Sequence, residues 1–276
     1  MKPRDQHSHK GDYGRLLIVG GSDVYSGAPA LAGMASLRTG VGLVFIAAPR
    51  RISSVIRSYS PDLIVHELCD DVVTSKDLSA IGKLLTQSDA LVLGPGIGRS
   101  SGTNAVIPQI IQKAHAMKKS ILVDADAIRA VAGMRYDGIN MILTPHAGEF
   151  KALSGVEVSL EWRKRVPICV DFAKRKRCVL LLKGHETVVT DGFRVKVNRT
   201  GNPGMAKGGM GDVLSGIIGA FLAQHVEPFD AAVAGAFLHG RAGDLLLREK
   251  GFHMVSSDLV EILPAVLKQY DRLGSS

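Results

Sequence analysis

Asp212 closes the segment Asn202-Pro-Gly-Met-Ala-Lys-Gly-Gly-Met-Gly-Asp212, directly ahead of an apolar helical stretch. Glycines at 208, 209 and 211 let the backbone approach a ligand closely, and successive amides at a helix N-terminus form an anion site. A carboxylate in that first turn, beside the anion, could take the proton from a hydroxyl attacking phosphorus. The competing structural reading is a Gly-rich turn with Asp212 as a simple helix cap. The segment is not a Walker P-loop, because GxxxxGK[ST] does not occur in the chain.

Five further segments carry chemistry-bearing residues. Thr144-Pro-His-Ala-Gly-Glu-Phe150 offers His146 at a strand end, with Glu149 opening a helix. His146 could bond substrate amides or hydroxyls, or serve the turn, and Glu149 could complement the helix dipole. Leu182-Lys-Gly-His-Glu-Thr187 places Lys183 where it could meet a nucleotide phosphate as a point charge, or simply build a turn. Gly94-Pro-Gly-Ile-Gly98 suits close approach of a pyrophosphate or ribose but does not match GxGxxG. Asp124 and Asp126 could ligate Mg²⁺ through water, and the favoured reading is that they cap the helix that follows. Tyr25-Ser-Gly-Ala-Pro-Ala30 opens a long helix and could also face a ligand.

These loops need a frame that brings them together. Apolar strand-length runs at 15–21, 41–48, 89–93, 120–123, 141–143 and 178–182 alternate with helical patterns at 26–39 and 103–117. That alternation predicts an α/β chain with a mainly parallel sheet covered on both faces, its ligands beyond the carboxyl ends of the strands. Asp191-Gly192 between the alternating runs 187–190 and 193–197 predicts a hairpin added antiparallel at the sheet edge. Three helices are expected at 213–222, 230–249 and 256–270, the last kinked at Pro264. No linker, repeat or low-complexity tract divides the 276 residues, so one three-layer α/β/α domain spanning 1–276 is the expectation.

Lys and Arg total 34 against 26 Asp and Glu, a balance of +8. A basic chain could bind nucleic acid or a small polyphosphate. With aromatics at 5% and no RNP, zinc-finger or basic-zipper pattern, the phosphorylated small molecule is preferred and nucleic acid is not expected. No apolar run is long enough to span a membrane, the first ten residues are polar, and Cys69, Cys169 and Cys178 form no CxxC pair. A cytoplasmic protein is expected.

His9-Lys-Gly11 with Gly14, Gly27-Ala28, Gly94-Pro-Gly96, Asp124-Ala-Asp126, Thr144–Phe150, Leu182-Lys-Gly184 and Gly208-Gly-Met-Gly-Asp212 occur in one order between residue 9 and about 245. On these motifs the chain resembles the ADP-dependent NAD(P)H-hydrate dehydratases of the ribokinase-like superfamily, and the pairing of TPHxGEF with GGxGD is the specific part. Two positions depart from the pattern: Met210 stands where Thr is common, and Lys207 where a small or hydroxyl residue is expected.

The resemblance implies a lyase with a ribokinase-like fold that returns (6S)-NADHX or NADPHX to NADH or NADPH while ADP becomes AMP and phosphate. ATP is the usual donor in eukaryotic relatives. Hydroxide leaves poorly, whereas a phosphorylated ring hydroxyl can be expelled by the ring nitrogen's lone pair. In that scheme Asp212 is the base, the amides of Gly209 and Gly211 stabilise the transferred phosphoryl, and Mg²⁺ bridges the donor phosphates. The family match puts Ala28, Gly96, His146 and Asp212 at the hydrate. It puts Lys183, Gly184, His185, Glu186, Thr187 and Gly211 at the nucleotide, and assigns no side chain as a metal ligand. It further implies a homo-oligomer, a tetramer, and an NAD(P)HX epimerase as a fused or separate partner. The competing readings are a small-molecule kinase of the same superfamily, acting on a vitamin precursor or sugar, and a nucleotide-binding regulator with a degenerate site.

Overall fold

Leu16, Leu17, Ile18 and Val19 are all fully buried. A strand covered on both faces requires such an unbroken apolar run, and their side chains divide by parity. Leu16 and Ile18 join one hydrophobic cluster, while Leu17 and Val19 join another on the opposite face. The structure is a computed structural model and describes residues 4–136 and 138–273.

Among the described residues, the strands are β1 (Arg15–Val19), β2 (Leu43–Ala48), β3 (Ile64–Glu67), β4 (Ala90–Leu93), β5 (Ser120–Val123), β6 (Met141–Leu143), β7 (Val179–Leu182), β8 (Thr187–Thr190) and β9 (Val195–Asn198). They form one sheet in the order β3-β2-β1-β4-β5-β6-β7-β8-β9. Pairing is parallel from β3 through β7, and β8 and β9 add antiparallel at the edge. The α-helices are α1 (Gly27–Arg38), α2 (Arg50–Tyr59), α3 (Leu78–Thr86), α4 (Ser101–Ala116), α5 (Ala127–Ala130), α6 (Ala147–Ser154), α7 (Trp162–Lys176), α8 (Met210–Ala223), α9 (Pro228–Lys250) and α10 (Ser256–Leu267). One face carries apolar residues of α1, α2, α8, α9 and α10, and the other those of α3 to α7. This is the expected three-layer arrangement.

The tightest helix contact joins α1 to α8. Ser36 Oγ donates to the Gly216 carbonyl at 2.9 Å, and a Cβ on Gly216 would collide with the Ala32 carbonyl. That approach seats the Gly-rich start of α8 against the sheet. The hairpin is as expected in place but not in length. β9 begins at Val195, because the Asp191 carboxylate accepts the amides of Phe193 and Arg194 and extends the turn, leaving Phe193 84% exposed. α8 begins three residues before the expected 213, and α10 runs unbroken through Pro264 to a 3₁₀ turn at Lys268–Tyr270.

Candidate active site

Asp124 follows β5, Thr144 follows β6 and Lys183 follows β7, so three parallel strands deliver them to one edge of the sheet. Asp124 is 1% exposed. Its Oδ1 accepts from Lys183 Nζ at 2.9 Å and from Thr144 Oγ1 at 2.8 Å, and its Oδ2 accepts from Ser215 Oγ on α8 at 2.7 Å. The expected helix cap is therefore wrong for this pair: Asp124 is a buried counter-ion, and Asp126 accepts from Arg99 Nε and makes no side-chain cap bond to α5. Burial pushes the Asp124 carboxyl upward, but the Lys183 ammonium and the three hydrogen bonds outweigh it and hold the group below its ordinary range.

Asp212 lies in the first turn of α8, whose N-cap is Gly209 at φ +84°. Burial first, and the Asp124 charge second, lift its pKa to about 7 against the opposing pull of Lys183. Gly211 passes close over the ion pair: a Cβ there would sit 3.6 Å from Lys183 Nζ and 3.9 Å from Asp124 Oδ2. The expected residues Asp212, Gly211 and Lys183 thus belong to one cluster. Two anchors hold the glycine loop from behind. Ser256 Oγ donates to the Gly208 carbonyl, and Lys207 Nζ donates to the carbonyls of Phe252 and Met254. His239 on α9 donates from Nε2 to the Met210 carbonyl at 2.8 Å, and burial lowers its pKa to about 4, so the ring is neutral at pH 7.

His146 caps α6. Its Nδ1 accepts the amides of Gly148 and Glu149, so the ring proton sits on Nε2, which lies 3.5 Å from Glu149 Oε1 on a side chain that is 59% exposed. Glu149 bonds back to the His146 amide and reaches within 3.8 Å of Lys183 Nζ. Gly96, at φ +64°, packs against the start of α1: a Cβ would come 2.9 Å from that of Ala28. Beside them a cleft of about 430 Å³ is lined by Ser22–Tyr25, Val72, Ile97–Ser100 and Asp126. On the far side of the site Gly184 and His185 are exposed and Glu186 is half-buried, and Thr187 opens β8.

Sequence reasoning missed Arg165, Thr144 and Ser215 as site residues. Arg165, on α7, is 3% exposed and donates to the carbonyls of Leu182, Lys183 and Glu186. No local pattern marks it, since its partners lie 17 to 21 residues on.

This geometry can bind an anion at the α8 amides and remove a proton beside it. The family model described as NAD(P)H-hydrate dehydratase matches residues 16–265. The chain belongs to that family. It is 36% identical to the ADP-dependent (S)-NAD(P)H-hydrate dehydratase of Cenarchaeum symbiosum, over 98% of this chain and 94% of that protein. It is 41% identical to the bifunctional NAD(P)H-hydrate repair enzyme Nnr of Pyrobaculum aerophilum, over 97% of this chain and 53% of that protein. The chain therefore spans about half the length of the bifunctional relatives it matches. Among solved structures it is similar to the ADP/ATP-dependent NAD(P)H-hydrate dehydratase of Bacillus subtilis co-crystallised with ATP/Mg²⁺, with a TM-score of 0.84, 30% identity and coverage of 98% and 95%. Phosphofructokinase-2 of Escherichia coli, at 13% identity and a TM-score of 0.64, shares the fold alone. The expected ribokinase-like fold and dehydratase family both stand.

Proposed function

We propose that this chain dehydrates (6S)-NADHX and NADPHX to NADH and NADPH, converting ADP to AMP and phosphate. One observation carries the reading: a carboxyl with a pKa near 7, Asp212, in the first turn of a helix whose glycine-rich N-terminus faces a buried Lys183–Asp124 pair. Asp212 takes the proton from the ring hydroxyl, whose oxygen attacks the terminal phosphorus of ADP, and AMP departs. The amides of Gly209 and Gly211 receive the negative charge of the moving phosphoryl. The ring nitrogen's lone pair then expels phosphate, and loss of a proton from the neighbouring carbon restores the ring double bond.

His146 Nε2, with Ala28 and Gly96, holds the hydrate, and Lys183–Thr187 with Gly211 holds the nucleotide. Among the described residues no group of three or more His, Cys, Asp or Glu side chains could cage a metal. The donor set fits Mg²⁺ carried on the nucleotide phosphates, with Asp212 the carboxylate beside it. Bound there, the cation would neutralise phosphate charge.

The reading takes residues 1–276 as one catalytic domain, working as a homotetramer in the cytoplasm with an NAD(P)HX epimerase as partner, fused or separate. The bifunctional relatives support the partner, and the unpaired Cys69, Cys169 and Cys178 agree with a reducing compartment. No described helix is long and apolar enough to cross a membrane.

The test is direct. Purified protein is mixed with (S)-NADHX, Mg²⁺ and ADP, with ATP in parallel, and the near-ultraviolet absorbance of reduced nicotinamide is followed. A nucleotide-dependent rise with AMP and phosphate released is expected. A flat trace, or a stable phosphorylated product, overturns the reading, and the product would favour a small-molecule kinase.

A further inference from the structure

Arg165 is a buried guanidinium with no carboxylate partner among the described residues. Its Nη2 donates to the Lys183 carbonyl at 2.9 Å and the Leu182 carbonyl at 3.3 Å, and its Nη1 donates to the Glu186 carbonyl at 3.3 Å. Its Nε is buried and bonds to nothing. An uncompensated internal charge is expensive, and an apolar side chain would fill the same space more cheaply. A guanidinium buried under an exposed loop calls for a reason in that loop.

The loop's own polarity supplies one. The carbonyls of Leu182, Lys183 and Glu186 turn inward to Arg165, and that of Gly184 accepts from Thr187 Oγ1. Among the described residues no protein acceptor takes the amides of Gly184, His185 or Glu186. Four of the loop's carbonyls are thus taken by protein donors, while the amides of residues 184–186 are not, and Gly184 and His185 are exposed. Gly184 is itself required by this packing, since a Cβ there would run into the guanidinium.

We propose that Arg165 is a positioning residue for the nucleotide: it holds the 183–186 loop so that the amides of residues 184–186 stay unpaired, as a row of donors for an adenosine diphosphate, and adds positive potential beneath them. The inference rests on the dehydratase reading, because that reading places the nucleotide at this loop. Three donors fanned over three carbonyls need the planar fork of arginine, which lysine cannot reproduce.

The test is ADP binding by calorimetry on wild type, Arg165→Lys and Arg165→Ala, with steady-state constants for both substrates. Losing charge-assisted bonds should weaken ADP binding about 10- to 100-fold. The KM for ADP should rise while that for the hydrate stays put, and millimolar guanidinium should restore ADP affinity to Arg165→Ala. A merely structural arginine would lower the melting temperature and impair both substrates together, without rescue. Should Arg165→Ala fail to fold, Arg165→Lys carries the same test. ADP affinity unchanged in the folded variants overturns the inference. A wild type that binds ADP but turns over no hydrate overturns the dehydratase reading and leaves this measurement decisive on Arg165. A wild type that binds no ADP overturns both.

Discussion

Asp124 and Asp212 answer to the same ammonium, yet their surroundings drive them apart. Three hydrogen bonds and Lys183 keep Asp124 ionised, whereas burial and the neighbouring Asp124 charge lift Asp212 to about 7. Opposed shifts of this kind separate a fixed charge from a working base. Asp212→Asn should fold and lose about 10²–10⁴-fold in turnover; near-normal turnover would remove Asp212 from its role. Because the base acts deprotonated, wild-type kcat/KM should climb with pH and level off above about 7. The same shift has a stability sign. The folded carboxyl holds its proton up to about 7 and the unfolded one only to 3.8, so stability falls as pH rises between these values. The melting temperature of Asp212→Asn relative to wild type should therefore grow across that window and stay constant above it. Met210 is 4% exposed and packs in the core, so its side chain does not replace a phosphate-facing hydroxyl. Met210→Thr should cost about 1–3 kcal/mol in denaturant unfolding, with no gain in turnover. Asp212 and the glycines were legible locally, since charge and backbone freedom are properties of adjacent residues. Asp124 was not: its partners Lys183 and Ser215 lie 59 and 91 residues away, and only the sheet brings them together.

Elements whose sequence had one cause were readable, and those with two were not. β1, β4, β5 and β7 are buried on both faces, so an apolar run suffices to mark them. β3 escapes because Ile-Val-His-Glu is a half-exposed edge strand of four residues, too short and mixed to show a period. α7 escapes because Pro167 and six basic residues mask its buried stripe of Cys169, Phe172 and Ala173. The start of α8 shows what the glycines do beyond flexibility. Gly209 sits at φ +84°, and a Cβ would come within 2.8 Å of Leu31 Cδ1 and onto Ser256 Oγ. Gly209→Ala should lower unfolding free energy by about 1–3 kcal/mol, since both backbone and packing resist it. Gly208→Ala, where a Cβ would meet nothing within 4 Å, should stay within about 0.5 kcal/mol. Equal losses in the two unfolding curves would show that the conformation of this loop is not held as described.

At the scale of the molecule, the +8 balance says less about the site than its placement does. The basic run at 174–177 lies at the C-terminal end of α7, where cations complement the helix dipole; Arg175 pairs with Asp171, and Lys176 donates to the carbonyls of Ala132 and Met134. Charge at the site is nearly balanced, so nucleotide affinity must come from oriented amides at the α8 N-terminus and at residues 184–186. Those two elements are set against each other only when β5, β6 and β7 are paired and α8 is packed on them. An unfolded chain therefore offers ADP almost nothing, and binding becomes linked to the whole fold. ADP at 100 times its Kd should add about 2.7 kcal/mol, which for a chain of this size raises the melting temperature by about 5–10 °C. The increment should keep growing with the logarithm of ADP concentration. Differential scanning fluorimetry across an ADP series reads this directly. A melting temperature indifferent to ADP, in protein that calorimetry shows to bind it, would mean that the nucleotide rests on elements able to form without the sheet.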